Sequence, residues 1–223
     1  MGIRKRLSVP TLIFLSAELI LYYLILTAGG NTLVYSSFGA IVLCFVHVLL
    51  HFKTCNRFML GGLACTVLAD FCLVICSPIQ QLWGMVFFLI AQSLYAAKLH
   101  LNAKTHTLLY IRLGLTLLAL VVTALVLRDK TDPLALVSMC YYANLIMNIV
   151  VAFCQHRCCK LLPLAFVLFL LCDTVIGLQV ACGGYLPIGE SSLLHRIVFM
   201  NFNLSWFFYL PSQVLLSICA KAK

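Results

Sequence analysis

Apolar stretches of membrane-crossing length follow one another along this whole chain, separated only by short polar connections. A bilayer core about 30 Å thick needs roughly 20 apolar residues per helical crossing. Eight such runs lie at about 9–28, 33–51, 58–76, 81–97, 108–127, 134–153, 161–179 and 196–219. Hydrocarbon offers no partner to a bare backbone amide, so segments of this kind must be helices. The expected fold is therefore all-α: a polytopic bundle of eight transmembrane helices forming one integral-membrane domain over residues 1–223. With 64% hydrophobic residues and a mean hydropathy of +1.10, no polar block is left for a soluble domain.

Charge sets the expected orientation. Twelve of the 15 basic residues fall on one set of alternate connections: Arg4, Lys5, Arg6, Lys53, Arg57, Lys98, Lys104, nearby Arg112, Arg157, Lys160, Lys221 and Lys223. The other set holds Arg128, Lys130 and Arg196, diluted by Asp129, Asp132 and Glu190. The excess predicts both termini in the cytoplasm and a multi-pass protein, expected in the cell membrane. It also suits contact with anionic lipid. Nucleic acid is not an expected partner, because binding it would need a soluble basic surface.

Two carboxylates interrupt the apolar runs. Asp70 lies in the third and Asp173 in the seventh, each about six residues before the outer end of its helix, or ~9 Å deep at 1.5 Å per residue. An ionised group at the centre of a membrane helix costs at least ~2.5–3.5 kcal/mol, which makes each acid a functional candidate. Two carboxyls meeting in a low dielectric share a proton, leaving one acid and one carboxylate near neutral pH. That pair suits general acid–base work on an acid-labile bond. Their alternative role is interhelical hydrogen bonding.

The last run carries Asn201, Ser205, Tyr209, Gln213 and Ser217 at steps of four, a polar stripe along one helix. Asn201 falls at the depth of the aspartates and is the expected orienting residue, with Tyr209 and Gln213 deeper. Gln92 and Tyr95 share a face of the fourth run, and Asn144 and Asn148 one of the sixth; together they suggest a hydrated central cavity. Glu18 is a third buried acid whose face the sequence leaves open. His47 and His51 stand four apart but have no third ligand in sight, so no metal site and no cofactor is expected. Cys76 and Cys182 approach the outer face as a candidate bridge, with two free thiols the alternative; Cys55, Cys154, Cys158 and Cys159 fall on the reducing side.

Asp132-Pro133 reads as an N-cap followed by an N1 proline. Pro211, inside the last run, should kink that helix and free the carbonyl of Phe207. Short links at Gly29-Gly30-Asn31 and Ser77-Pro78 predict two helical hairpins, and 180–195 is the candidate external lid. Leu68-Ala69-Asp70 and Leu171-Cys172-Asp173 suggest a 4+4 parallel repeat.

The chain resembles the YhhN family of eight-helix membrane proteins, which includes the lysoplasmalogenases. Ala69-Asp70-Phe71-Cys72-Leu73 is similar to the family's Gly-Asp-x-x-Leu, Cys172-Asp173 to its Ser-Asp, and Tyr209-Leu-Pro-Ser-Gln213 to its Tyr-Tyr-x-Ala-Gln. Gln92-Ser-Leu-Tyr95 stands where the family has His-x-x-Tyr. The resemblance implies a hydrolase that cleaves the vinyl-ether bond of lysoplasmalogens, with Asp70 and Asp173 catalytic and no cofactor. Gln92, Tyr95, Asn201, Ser205, Tyr209 and Gln213 would be substrate-binding or supporting residues. A lysophospholipid substrate and membrane lipids are the expected partners; the oligomeric state is not legible. Two departures stand out: Gln92 replaces a histidine, and the second run lacks a lysine near its start. A proton- or ion-coupled transporter and an inactive lipid-binding protein are the alternative readings.

Overall fold

The computed structural model describes residues 9–76, 80–101, 107–127, 132–155, 159–184, 192–200 and 202–220. The described residues fold into nine α-helices: α1 (Val9–Thr27), α2 (Gly30–Leu49), α3 (Arg57–Asp70), α4 (Gln81–Leu101), α5 (Thr107–Leu127), α6 (Pro133–Cys154), α7 (Leu162–Gly184), α8 (Leu193–Val198) and α9 (Leu204–Cys219). Seven segments are long and apolar enough to cross a membrane: α1, α2, α4, α5, α6, α7, and α3 together with the turn that continues it, Arg57–Ile75. The eighth run behaves differently from expectation. One helix ends at Val198 and the next begins at Leu204, giving the six-residue α8 and the 16-residue α9. Asn203 caps the start of α9: its side chain accepts from the amide of Trp206 at 3.4 Å. At 1.5 Å per residue α9 spans only ~24 Å, short of a full hydrocarbon core.

Local chemistry sets most other boundaries as expected. Asp132 accepts from the amide of Ala135 at 2.6 Å, with Pro133 opening α6. Gly29 precedes α2 and Gly30 takes φ +60°, a left-handed conformation that closes the α1–α2 hairpin. Pro211 removes one amide from α9, and the freed carbonyl of Phe207 accepts instead from the Tyr22 hydroxyl of α1 at 3.0 Å. The Ser77-Pro78 link, residues 185–191 of the lid segment, Asn201 and the terminal basic residues lie outside the described residues. Of the rest of that segment, residues up to Gly184 extend α7 and Leu193 begins α8.

α3 packs most extensively on α4, and α7 on α9. Small residues permit the first of these contacts. A methyl at Gly62 would collide with the ring of Tyr95, and one at Gly84 would come within 2.5 Å of Leu73. Arg57 opens α3, Lys98 donates to the carbonyl of Cys219 at 3.5 Å, and the amide of Asn56 donates to the carbonyl of Ala220 at 2.8 Å. The end of α9 is thus the common end of α3, α4 and α7, and gathers Arg57, Lys98 and Lys160. Arg112, counted with the connections in the sequence, lies instead inside α5, buried at 7% exposure.

A candidate acid pair around an aromatic cluster

Asp70 is the last residue of α3, and the chain passes from it directly into a π-helical turn, Phe71–Ile75. Such turns widen the helix at one point and recur at functional sites. Asp70 is buried, at 3% exposure, while Asp173 on α7 is half-buried. Each carboxyl accepts a tyrosine hydroxyl from another helix. Tyr209 of α9 donates to Oδ2 of Asp70 at 2.6 Å, and Tyr141 of α6 donates to Oδ2 of Asp173.

The two tyrosines are joined through phenylalanine rings. Phe88 of α4 lies 5.8 Å from Tyr141 and 6.3 Å from Tyr209, centroid to centroid. Phe169 of α7 lies 6.4 and 5.3 Å from the same two rings, and 5.7 Å from Phe88. Four helices therefore build one aromatic cluster whose edges are two tyrosine-held carboxyls. All five separations fall in the range of favourable edge and tilted ring contacts. Two carboxyls, Asp70 the more enclosed, each oriented by a tyrosine donor beside apolar rings, form a site that can give a proton at one position and receive one at the other.

The remaining expected residues divide. Tyr209 joins the site, although the sequence placed it below the acids and favoured Asn201, which lies outside the described residues. Ser205 on α9 is half-buried, and no hydrogen bond joins it to either acid among the described residues. Gln213 is fully buried one turn past Tyr209, its amide without a partner among the described residues. Tyr95 is fully buried and its hydroxyl lies 3.4 Å from Thr66 of α3. Gln92 belongs to a different group: Asn148 of α6 donates to its Oε1 at 2.8 Å and to its carbonyl at 3.0 Å. Arg112 completes that group, donating to Oδ1 of Asn148 at 2.9 Å and to the side chain and carbonyl of Asn144. Asn144 in turn donates to Ser93 at 3.1 Å. Among the described residues the hydrogen bonds sort these side chains into two groups: the tyrosine-held acids, and a guanidinium clamp tying α5 to α6 and α4.

Glu18 faces α2, where the Cys44 thiol donates to its Oε1 at 3.3 Å. His47 stacks on Phe14 at 4.1 Å, and His51 lies against the His47 carbonyl at 2.8 Å, so the pair packs as rings. Cys76 and Cys182 are free thiols. The residue that sequence reasoning missed is Tyr141. Its signal was its position three residues before Asn144 and seven before Asn148, which places all three on one face of α6.

Known proteins supply one match. A family model described as the YhhN family matches residues 31–217. No curated protein and no solved structure matches the chain.

Proposed function

The chain belongs to the YhhN family, lysoplasmalogenase-like as a family, and on that premise we propose that it is a membrane-embedded hydrolase cleaving the vinyl-ether bond of lysoplasmalogens. The products are a fatty aldehyde and a glycerophospho-base. The observation that carries the reading is the pair of carboxyls, Asp70 and Asp173, each held by a tyrosine at the edge of one aromatic cluster. A vinyl ether is stable to base and opens when its β-carbon is protonated, so the chemistry asks for a positioned acid and a positioned base and for nothing redox-active.

The proton inventory closes within the pair. Asp70, the more enclosed acid, delivers its proton to the β-carbon, and the alkene's electron pair forms the new C–H bond. The adjacent carbon becomes an oxocarbenium ion, stabilised by the carboxylates and by the negative faces of neighbouring rings. Water adds to that carbon and passes a proton to Asp173, the less enclosed carboxyl. Asp173 then protonates the departing ether oxygen while the hemiacetal hydroxyl returns its proton to Asp70. Both acids end as they began. Glycosidases apply paired carboxyls to an oxocarbenium-like transition state in the same manner.

The histidine-to-glutamine departure at Gln92 does not argue for an inactive protein, because Gln92 bonds Asn148 and not the acids. Orientation with both termini in the cytoplasm, and residence in the cell membrane, belong to the same proposal. The test is aldehyde release from alkenyl and acyl lysophospholipids by purified protein. Alkenyl substrate alone should yield aldehyde, and in deuterated water the aldehyde should carry deuterium at the carbon next to the carbonyl. Asp70→Asn and Asp173→Asn should each lose at least ~100-fold in rate, the contribution typical of a positioned proton donor or acceptor. Full activity in either variant defeats the mechanism.

A further inference from the structure

At the basic end of the bundle, far from the acid pair, two thiols face each other across the α7–α9 contact. Sγ of Cys219 lies 2.7 Å from Sγ of Cys159, closer than two unbonded sulfur atoms rest comfortably. Cys159 lies three residues before α7, and its carbonyl accepts the amide of Leu162, the first residue of that helix, at 2.9 Å. Cys219 is the last residue of α9, with its own carbonyl held by Lys98. Leu162, Leu216 and Ala220 around the pair are fully buried, so the flanking backbone is fixed by packing and holds the sulfurs together. Cys159 is half-buried and lies before the apolar part of its helix, whereas Cys219 is 3% exposed. One thiol is open to a small reagent and the other waits behind it.

We propose that Cys159 and Cys219 form an oxidisable pair that reversibly ties the start of α7 to the end of α9. The co-reactant is a hydroperoxide. The Cys159 sulfur attacks its terminal oxygen, the O–O bond breaks, and a sulfenic acid forms with release of water or alcohol. The Cys219 sulfur then attacks that sulfenic sulfur, the S–O bond breaks, and a second water leaves. Two thiols are oxidised by two electrons in total and the peroxide is reduced by two. A neighbouring resolving thiol diverts the sulfenic acid from irreversible oxidation, and a thiol reductant restores the pair. The sequence places this end of the bundle in a reducing compartment, where disulfides that do form are transient and regulatory. The bond would close a 60-residue separation and join the helix bearing Asp173 to the helix whose Tyr209 holds Asp70.

The experiment treats the full chain in lipid nanodiscs with hydrogen peroxide, alkylates free thiols, digests without reductant and identifies linked peptides by mass spectrometry. A Cys159–Cys219 peptide should be the main cross-link, should vanish with dithiothreitol, and should persist in Cys158→Ser while disappearing in Cys159→Ser and Cys219→Ser. The unfolding midpoint of the wild type should rise on oxidation and fall back on reduction, with no such shift in either serine variant of the pair. Cys159 recovered as sulfinic acid, as an unmodified thiol, or linked to Cys158 overturns the proposal. None of these readouts depends on the substrate, so the result stands apart from the proposed hydrolysis.

Discussion

Tyr209 and Tyr141 do for the two acids what no charged residue does nearby: each supplies one directed donor in a region without bulk water. A hydrogen bond to a charged group is worth about 1.5–3 kcal/mol, and each 1.4 kcal/mol is tenfold in rate. Tyr209→Phe and Tyr141→Phe should therefore each lower kcat for aldehyde release by roughly 10- to 100-fold, with the helical content by circular dichroism unchanged. Gln92→Leu should behave in the opposite sense. It removes an acceptor of Asn148 in the neighbouring group, so thermal stability should fall by ~1–3 kcal/mol while kcat stays within a few-fold. A large rate loss at Gln92 would mean that it touches the reacting centre. The sequence exposed Asp70 and Asp173 because a carboxylate in an apolar run is anomalous in itself. It concealed Tyr141, because tyrosine is ordinary in such a helix, and it named Tyr209 but set it too deep. Depth counted from residue 196 put Asn201 beside the acids. With α9 starting at Leu204, Tyr209 is five residues in, or ~7.5 Å, within one residue's rise of the ~9 Å expected for Asp70.

Helix α9 illustrates how a single missing amide is answered at the level of elements. Pro211 cannot donate to Phe207, and the Tyr22 hydroxyl from α1 takes the vacant carbonyl. The contact pins α1 to the helix that carries Tyr209. Tyr22→Phe should strand that carbonyl in a setting without water and cost ~1–3 kcal/mol of stability. Pro211→Ala restores the backbone amide, which can return to Phe207 by the ordinary helical bond. The Tyr22→Phe loss should then be largely absent in the Tyr22→Phe/Pro211→Ala double variant, a coupling readable from denaturant or detergent unfolding curves. Equal losses in both backgrounds would show that the hydroxyl contributes nothing through this carbonyl. The vacated carbonyl was foreseeable from proline chemistry alone. Its recipient was not, because Tyr22 and Phe207 are 185 positions apart and meet only through packing. Arg112 failed to be foreseen for the reverse reason: five residues into α5 it reads as a loop charge until Asn144 and Asn148 turn toward it.

At the scale of the whole molecule, polarity is sorted by height. The acid pair lies toward the end where α3 gives way to its π turn and α6 begins. The Arg112 group and the thiol pair lie toward the other end, where Arg57, Lys98 and Lys160 collect. A positive-inside bundle should hold that second end in the cytoplasm, which opens the acid pair to a single-chain lipid from the opposite leaflet. The cysteines provide the check, since they mark both ends. Cys76 and Cys182 lie at the acid end, and Cys55 and Cys154 at the basic end, each with some exposure. On intact cells a membrane-impermeant maleimide should modify single-cysteine variants retaining Cys76 or Cys182, and should reach those retaining Cys55 or Cys154 only after permeabilisation. The reverse pattern would turn the bundle over. Asp70 and Asp173 would then face the cytoplasmic leaflet, and any lysoplasmalogen reaching them would have to arrive from that side.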